Sequence, residues 1–184
     1  MNKGKVILRS DQMDITLMRL CHQLIENYDD FSNTCIIGIQ EKGAILADRI
    51  VHILRTEMNI DVEYGKLDIS FYRDDYRRRD EPIRPSETTI DFLVEDKRVI
   101  LIDDVLYTGR TIQSAMTALQ HFGRPQKVEL LVLVDRRFNR HLPIIADYKG
   151  ITVDAIDEAY VRVEWDHVNG NDQIKFFNKK VKSK

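Results

Sequence analysis

Cysteine is scarce in this chain, which limits the chemistry that the sequence can support. The 184 residues include two cysteines, Cys21 and Cys35, whose separation matches no metal-binding motif. Both lie in apolar surroundings, so we expect two buried thiols in a reducing cytoplasm. The five histidines are scattered and form no metal triad. The sequence therefore predicts no metal site built from protein side chains.

Long apolar runs and a strong net charge are also missing. No apolar run reaches about 18 residues, so no membrane span is predicted. Residues 1–4 lead directly into a short apolar segment without a signal peptide, which predicts a cytoplasmic protein. The net charge of −2 argues against a general nucleic-acid coat but allows a local basic patch. With 43% hydrophobic residues and no internal repeat, the chain suits a single domain, residues 1–184.

The most informative stretch begins at Val99. Four apolar residues, typical of a buried parallel strand, lead into the adjacent acids Asp103 and Asp104. A short loop with Gly109 follows, and an amphipathic helix comes next. The predicted apolar stripe of this helix consists of Ile112, Ala115, Met116, Leu119 and Phe122. The turn then lies at the carboxyl end of a strand, where open α/β sheets bind their ligands.

The loop before this helix has the composition of a phosphate site. The first amides of a helix lack intrahelical partners and lie at the positive end of the helix dipole. Gly109 allows close approach of the backbone, Thr108 and Thr111 carry hydroxyl donors, and Arg110 adds positive charge. The preceding acids would repel a phosphate, so we expect them to accept hydrogen bonds from sugar hydroxyls. The stretch therefore predicts a site for a ribose that carries a phosphate.

This stretch resembles the ribose-5-phosphate signature of the type I phosphoribosyltransferases. In that signature four apolar residues and two acids precede two apolar residues, any residue and Thr-Gly-Arg/Lys-Thr. Other stretches are similar to the PyrR family, the uracil phosphoribosyltransferases and pyrimidine-operon attenuation regulators. These stretches are 72–75, 80–82, 123–125, 132–136, 142–144 and 146–148.

The resemblance implies an α/β architecture, the type I phosphoribosyltransferase fold. We expect a twisted, mainly parallel sheet flanked by helices, with a flexible loop and a small C-terminal hood. The hood would comprise about residues 140–180 together with N-terminal residues.

The resemblance also implies how the site residues divide their roles. The ribose 5-phosphate would be bound by Asp103, Asp104, Tyr107, Thr108, Gly109, Arg110 and Thr111. The pyrophosphate would be bound by Lys42, Gly43 and Arg73, although a Lys and a Gly after a strand are more often a plain turn. The predicted catalytic residues are Asp103, Asp104 and Arg73. Mg²⁺ is expected to arrive bound to the substrate's pyrophosphate.

A charged segment, residues 73–82, shows no periodicity. It is interpreted either as a mobile surface loop or as the family's flexible catalytic loop, which closes over pyrophosphate and excludes water. Arg77, Arg78 and Arg79 either assist Arg73 or only solvate the loop. Upstream, Gly65 is interpreted as a bulge or bend in a strand.

Tyr107 indicates which base the site accepts. Purine-salvage relatives commonly carry an acid at this position, so a tyrosine favours a pyrimidine. The resemblance then implies an enzyme that makes uridine monophosphate (UMP) and pyrophosphate from uracil and phosphoribosyl pyrophosphate (PRPP). Two alternatives stay open: a transferase for a purine or orotate, and an RNA-binding regulator with little catalysis.

A regulatory role, in which the protein binds the leader messenger RNA of pyrimidine genes, requires a basic surface. The predicted RNA-binding residues are Arg19, His22, Arg137 and Arg140. Arg19 and His22 share one face of a helix predicted over residues 12–28 with Asp11 as its cap. Spacing alone favours a solvated face, and it is the family resemblance that implies an RNA contact.

Three positions depart from the pattern of the regulators. These are Met18, Asn27 and Ile145, the last of which replaces an arginine. The basic segment 179–184 is interpreted as a frayed tail, with an RNA contact as the alternative. The resemblance further implies a homo-oligomer, a dimer or larger.

Overall fold

A computed structural model of the chain describes residues 4–28, 31–73, 85–156, 159–166 and 171–178. Within these ranges the helices are α1 (Ser10–Tyr28), α2 (Lys42–Thr56) and α3 (Arg110–Leu119), and a short 3₁₀ helix, Gln120–Phe122, continues α3. The strands are β1 (Lys5–Leu8), β2 (Thr34–Ile39), β3 (Glu63–Leu67), β4 (Arg98–Leu106), β5 (Lys127–Arg137), β6 (Tyr148–Asp154), β7 (Tyr160–Glu164) and β8 (Gln173–Phe177).

The central sheet has five strands in the order β3-β2-β4-β5-β6, and every neighbouring pair is parallel. Strands β2, β4 and β5 read as near-continuous apolar runs because side chains on both faces are covered. Alternate residues of β4 enter different cores: Ile100 and Ile102 pack with α1 and α2, whereas Val99 and Leu101 pack with α3. The predicted parallel sheet flanked by helices is confirmed.

A second sheet, which we call the hood sheet, has three antiparallel strands in the order β1-β8-β7. It combines a strand from the start of the chain with a hairpin near the end. Arg49 of α2 donates to the buried Asp172 before β8 at 3.0 Å and so connects the hood sheet to the main body. The hood sheet is therefore tied to α2 by a partly buried ion pair.

The helices differ from prediction at two positions. Helix α1 begins at Ser10, so Asp11 lies in its first turn and not at the cap. The helical hydrogen bonds already start there, because the amide of Met13 donates to the carbonyl of Arg9 at 2.8 Å. In α3, Met116 is 39% exposed and does not belong to the buried stripe.

The strands differ from prediction at two further places. Gly65 is not a bulge, because it pairs in regular register with Ile37 of β2. A Cβ at position 65 would lie 2.8 Å from the carbonyl oxygen of Thr89. The glycine is needed because the backbone at Thr89 passes close to the strand at this point. Strand β4 also continues beyond the predicted apolar run and contains the acid pair 103–104. The acids therefore lie within the strand, two residues before its end.

Cys21 and Cys35 are both fully buried, as expected. Burial raises the pKa of each thiol to about 12, so both stay protonated. Arg77, Arg78 and Arg79, and the segment 179–184, lie outside the described residues. Among the described helices, none combines the length and the apolar character needed to cross a membrane.

Candidate active site

The turn from β4 to α3 adopts a conformation that requires glycine. Gly109 has a φ of +91° and precedes the first residue of α3, and its carbonyl accepts the amide of Gln113 at 3.0 Å. A Cβ at this position would be strained and would lie 3.1 Å from the side chain of Ile144. The helix can therefore begin directly beside the end of the strand, with its first turn open to a ligand.

A cleft of about 330 Å³ lies over this turn. It is lined by Arg73, Asp103 and the five residues 107–111, which we call the phosphate loop. The structure therefore brings together, around one cavity, every residue predicted for the ribose 5-phosphate except Asp104, which is adjacent in the chain. A cleft of this size lies at the lower end of the range for small-molecule sites.

The two acids lie near the end of β4, where Asp103 is buried and Asp104 is mostly covered. Asp103 is 7% exposed, and its Oδ1 accepts the amide of Asp104 at 2.9 Å. Burial, and then the neighbouring carboxylate, raise the pKa of Asp103 to about 8, against the opposing effect of Arg73 and Lys42. Burial likewise raises the pKa of Asp104, and Lys42 opposes it. The pair is thus costly to ionise without a ligand or cation beside it.

The start of α2 meets the same acids. The Nζ of Lys42 lies 3.8 Å from the Oδ2 of Asp104 and donates to the carbonyl of Val163 in the hood sheet at 3.4 Å. A Cβ on Gly43 would lie 2.5 Å from the carbonyl oxygen of Ile102, so only a glycine lets this helix pack directly on β4. The residues predicted for pyrophosphate therefore adjoin those predicted for ribose.

Two arginines that sequence reasoning did not assign to this site surround Tyr107. The guanidinium carbon of Arg136 lies 3.7 Å from the centre of the Tyr107 ring, and Arg136 is only 5% exposed. Arg140 donates to the carbonyl of Tyr107 and, at 2.5 Å, to Asp135. The available signal was the run Asp135-Arg136 at the carboxyl end of β5, on the ligand side of the sheet.

The predicted RNA-binding residues separate into two places. Arg19 donates to the carbonyls of β6 at Lys149 and Gly150, and His22 is exposed on the same helix. Arg137 pairs with Asp154 at the other end of β6, with two contacts of 2.6 Å. These three therefore follow the edge strand of the main sheet. Arg140, in contrast, donates to the carbonyl of Tyr107, a residue that lines the cleft.

One of the three departures from the regulators' pattern, Asn27, has a structural role. Asn27 donates to the hydroxyl of the buried Tyr148 at 3.1 Å, which ties α1 to β6. Ile145 is an exposed apolar side chain between β5 and β6. Nothing in the structure explains Ile145.

The family comparison agrees with this geometry. Residues 4–167 match the model of the phosphoribosyl transferase domain. The chain therefore has the fold of a phosphoribosyl transferase domain.

Curated relatives define the family more narrowly. The chain is 41% identical over 174 residues to the bifunctional protein PyrR of Deinococcus radiodurans, with 94% of this chain and 93% of the relative covered. It is 38% identical over 181 residues to the bifunctional protein PyrR of Bacillus subtilis, with 96% and 98% covered. The chain belongs to the PyrR family.

Solved structures show the same fold at low sequence identity. A hypoxanthine phosphoribosyltransferase from Trypanosoma cruzi superposes with a TM-score of 0.73, is 16% identical and covers 99% of this chain and 98% of its own. A hypoxanthine phosphoribosyltransferase from Staphylococcus aureus gives a TM-score of 0.65 at 21% identity, with 85% and 80% covered. Similarities at this level of identity establish architecture and not the base.

Proposed function

We propose that this protein is a uracil phosphoribosyltransferase that makes UMP and pyrophosphate from uracil and PRPP. The observation that carries the proposal is the cleft in which the acid pair of β4, the phosphate loop and Arg73 meet. Family membership supports the same activity. The protein also acts, in this proposal, as a UMP-dependent RNA-binding attenuator of pyrimidine genes.

The geometry supports a division of labour among the site residues. The amides of the phosphate loop and the first turn of α3 bind the 5-phosphate, with Arg110 adding charge. Asp103 and Asp104 accept hydrogen bonds from the ribose hydroxyls and stabilise positive charge that develops on the sugar. Lys42 and Arg73 balance the negative charge that builds up on the departing pyrophosphate. Alignment and electrostatic stabilisation then supply most of the rate.

Magnesium is part of the proposal as an ion carried by the substrate. Among the described residues, no group of three His, Cys, Asp or Glu side chains converges on one position. The carboxylates of Asp103 and Asp104 are hard oxygen donors, the type that this ion prefers, and they adjoin the predicted pyrophosphate side of the site. When bound, the ion neutralises charge on the pyrophosphate oxygens, and the residues around it orient the ribose.

The experiment that tests the activity is a panel of free bases. Purified protein is incubated with PRPP and magnesium and with uracil, hypoxanthine, guanine or orotate, and pyrophosphate release is followed. Of the four bases, we expect only uracil to give pyrophosphate release, and we expect that release to be lost in Asp104→Asn. Turnover with a purine or with orotate, and none with uracil, would contradict the assignment.

The regulatory half is tested separately by RNA retention. The exposed His22 and the ends of β6 carry the basic groups that would contact a pyrimidine-leader hairpin. We expect binding that weakens as salt rises and strengthens when UMP is added. An absence of UMP-dependent retention at moderate salt would remove the regulatory role and leave the catalytic one.

The assembly and the compartment complete the proposal. We expect a dimer or a larger homo-oligomer, which sedimentation velocity measures directly. We place the protein in the cytoplasm, where the two buried thiols stay reduced.

A further inference from the structure

The carbonyl groups of the phosphate loop are held from outside the cleft. Arg140 donates to the carbonyl of Tyr107. The next carbonyl, that of Thr108, accepts two amides, from His141 at 3.0 Å and from Leu142 at 3.2 Å. Residues 140–142, which we call the supporting segment, therefore bind two successive carbonyls of the loop.

This arrangement has a direct consequence for the amides. In a trans peptide unit, the carbonyl of one residue and the amide of the next point in opposite directions. Fixing the carbonyls of Tyr107 and Thr108 on the supporting segment thus turns the amides of Thr108 and Gly109 to the opposite side. Thr108 and Gly109 line the cleft and residues 140–142 do not, so the side opposite the supporting segment is the one that faces the cleft. A phosphate needs donors there, and a carbonyl turned inward would repel it.

Arg140 is built into this position by a second contact. Its guanidinium also pairs with Asp135 at 2.5 Å, a carboxylate that is itself buried, and the Arg140 side chain is only 24% exposed. Arg136 fixes the same tyrosine from its ring side, and donates to the carbonyl of Ala159 at 2.7 Å. Tyr107 is therefore held at both its ring and its carbonyl.

We propose that Arg140 is a positioning residue for phosphate binding, which orients the first peptide of the phosphate loop, and that it is not an RNA contact. This inference rests on the proposed function, because it concerns the same phosphate. An RNA contact that drew Arg140 away would break its hydrogen bond to the Tyr107 carbonyl and its 2.5 Å pairing with the buried Asp135, leaving Lys149, at 3.9 Å, as the cation beside that carboxylate. Such an exchange is unfavourable, because a buried carboxylate that loses its close partner is destabilising.

The test uses the full-length protein and ribose 5-phosphate, whose binding does not depend on the base. Isothermal titration measures the dissociation constant for wild type, Arg140→Met, Arg140→Lys and the double variant Arg140→Met/Asp135→Asn. The control is Arg55→Met, since Arg55 also bridges a carboxylate, Asp61, and a backbone carbonyl, Val62, but lies at the far end of α2. Thermal midpoints and hairpin RNA affinity without nucleotide are measured on the same samples.

We expect Arg140→Met to weaken ribose 5-phosphate binding about 10-fold to 100-fold, the range for a lost charge-assisted hydrogen bond. Arg140→Lys should retain a charge near Asp135 but lose part of the affinity, because one ammonium group cannot reproduce the forked geometry. The double variant should regain thermal stability without regaining affinity. Arg55→Met should bind as wild type does, and RNA affinity without nucleotide should not change in Arg140→Met.

Several outcomes would overturn the inference. Wild-type affinity in Arg140→Met would do so, as would a double variant that recovers both stability and affinity, since Arg140 would then only neutralise Asp135. Weakened RNA binding with unchanged phosphate binding would make Arg140 an RNA contact. Wild-type protein that binds ribose 5-phosphate but does not turn over uracil would contradict the proposed function and leave this inference standing. Wild-type protein that does not bind ribose 5-phosphate would contradict both.

Discussion

Replacing Asp103 by asparagine should stabilise the ligand-free protein at high pH while removing its activity. The carboxyl is buried beside a second carboxyl, and its pKa rises from an ordinary 3.8 to about 8. The folded protein therefore holds this proton more tightly than the unfolded chain does. In such a case the free energy of unfolding falls as pH rises from about 4 to about 8, because over that range the unfolded chain has released the proton while the folded protein still keeps it. The neutral amide introduced by Asp103→Asn has no charge to bury.

The size of the effect follows from that shift. Between pH 5 and pH 8 the wild type loses stability over about 3 pH units, or about 4 kcal/mol at about 1.4 kcal/mol per unit. Water entering the cleft and relaxation of nearby cations reduce such penalties, so we expect about half, near 2 kcal/mol. The asparagine Oδ1 can still accept the amide of Asp104, so that hydrogen bond is kept.

Urea unfolding at pH 5 and pH 8 measures this difference for wild type, Asp103→Asn and the control Asp91→Asn, an exposed aspartate outside the site. The free energy of unfolding of Asp103→Asn, relative to wild type, should increase between pH 5 and pH 8. That of Asp91→Asn, relative to wild type, should not. Pyrophosphate release should be lost only in Asp103→Asn. An advantage that is constant with pH, or that shrinks toward pH 8, would refute the account of the buried acid pair.

Three further predictions concern other parts of the molecule. Gly43→Ala should lower the free energy of unfolding by about 1 to 3 kcal/mol in urea titration and weaken PRPP binding, because its Cβ would lie 2.5 Å from a carbonyl of β4. Unchanged stability would show that α2 can move away at little cost. Gly109→Ala should destabilise the loop by about 1 kcal/mol because of its positive φ, and the rise in thermal midpoint on adding UMP should shrink; a full rise would contradict the assigned phosphate site. Arg137→Met should reduce the slope of log affinity against log salt for leader RNA by about 0.7 to 0.9, and an unchanged slope would exclude it as a phosphate contact.

The central part of the fold could be predicted because its signals are local. Residues 99–122 contain an apolar run, two acids, a glycine and an amphipathic stripe. Each of these signals indicates the local backbone conformation of the segment that carries it. The same locality explains the predictions that were wrong. Met116 fits the helical period but faces away from the core, and the reason for Gly65 is a segment that crosses it from more than twenty residues away. Periodicity contains no information about such neighbours.

The contacts around the phosphate loop could not be predicted in this way. Arg140 lies 33 residues after Tyr107 in the chain, and its two acceptors meet only when β4 and β5 pair in register. In the sequence it is one more arginine in a polar segment, and so it was assigned to a basic surface. The family resemblance implied that Lys42 binds pyrophosphate, but its pairing with Asp104 was not predicted, because that pairing requires α2 to start beside β4. Both contacts depend on how distant segments are placed beside one another, which only the structure shows.

The composition of the hood sheet has a consequence for biosynthesis. Among the described strands β1 is synthesised first, and its partner β8 is made about 170 residues later. At typical translation rates of about 5–20 residues per second, β1 waits roughly ten seconds or more before it can pair. For most of that interval the Val163 carbonyl beside Lys42 has also not been made. A nascent chain can therefore contain the phosphate loop before the hood sheet forms. Cotranslational pulse labelling that stops synthesis before residue 160 would capture this intermediate, in which the main sheet is complete and β7 and β8 are missing.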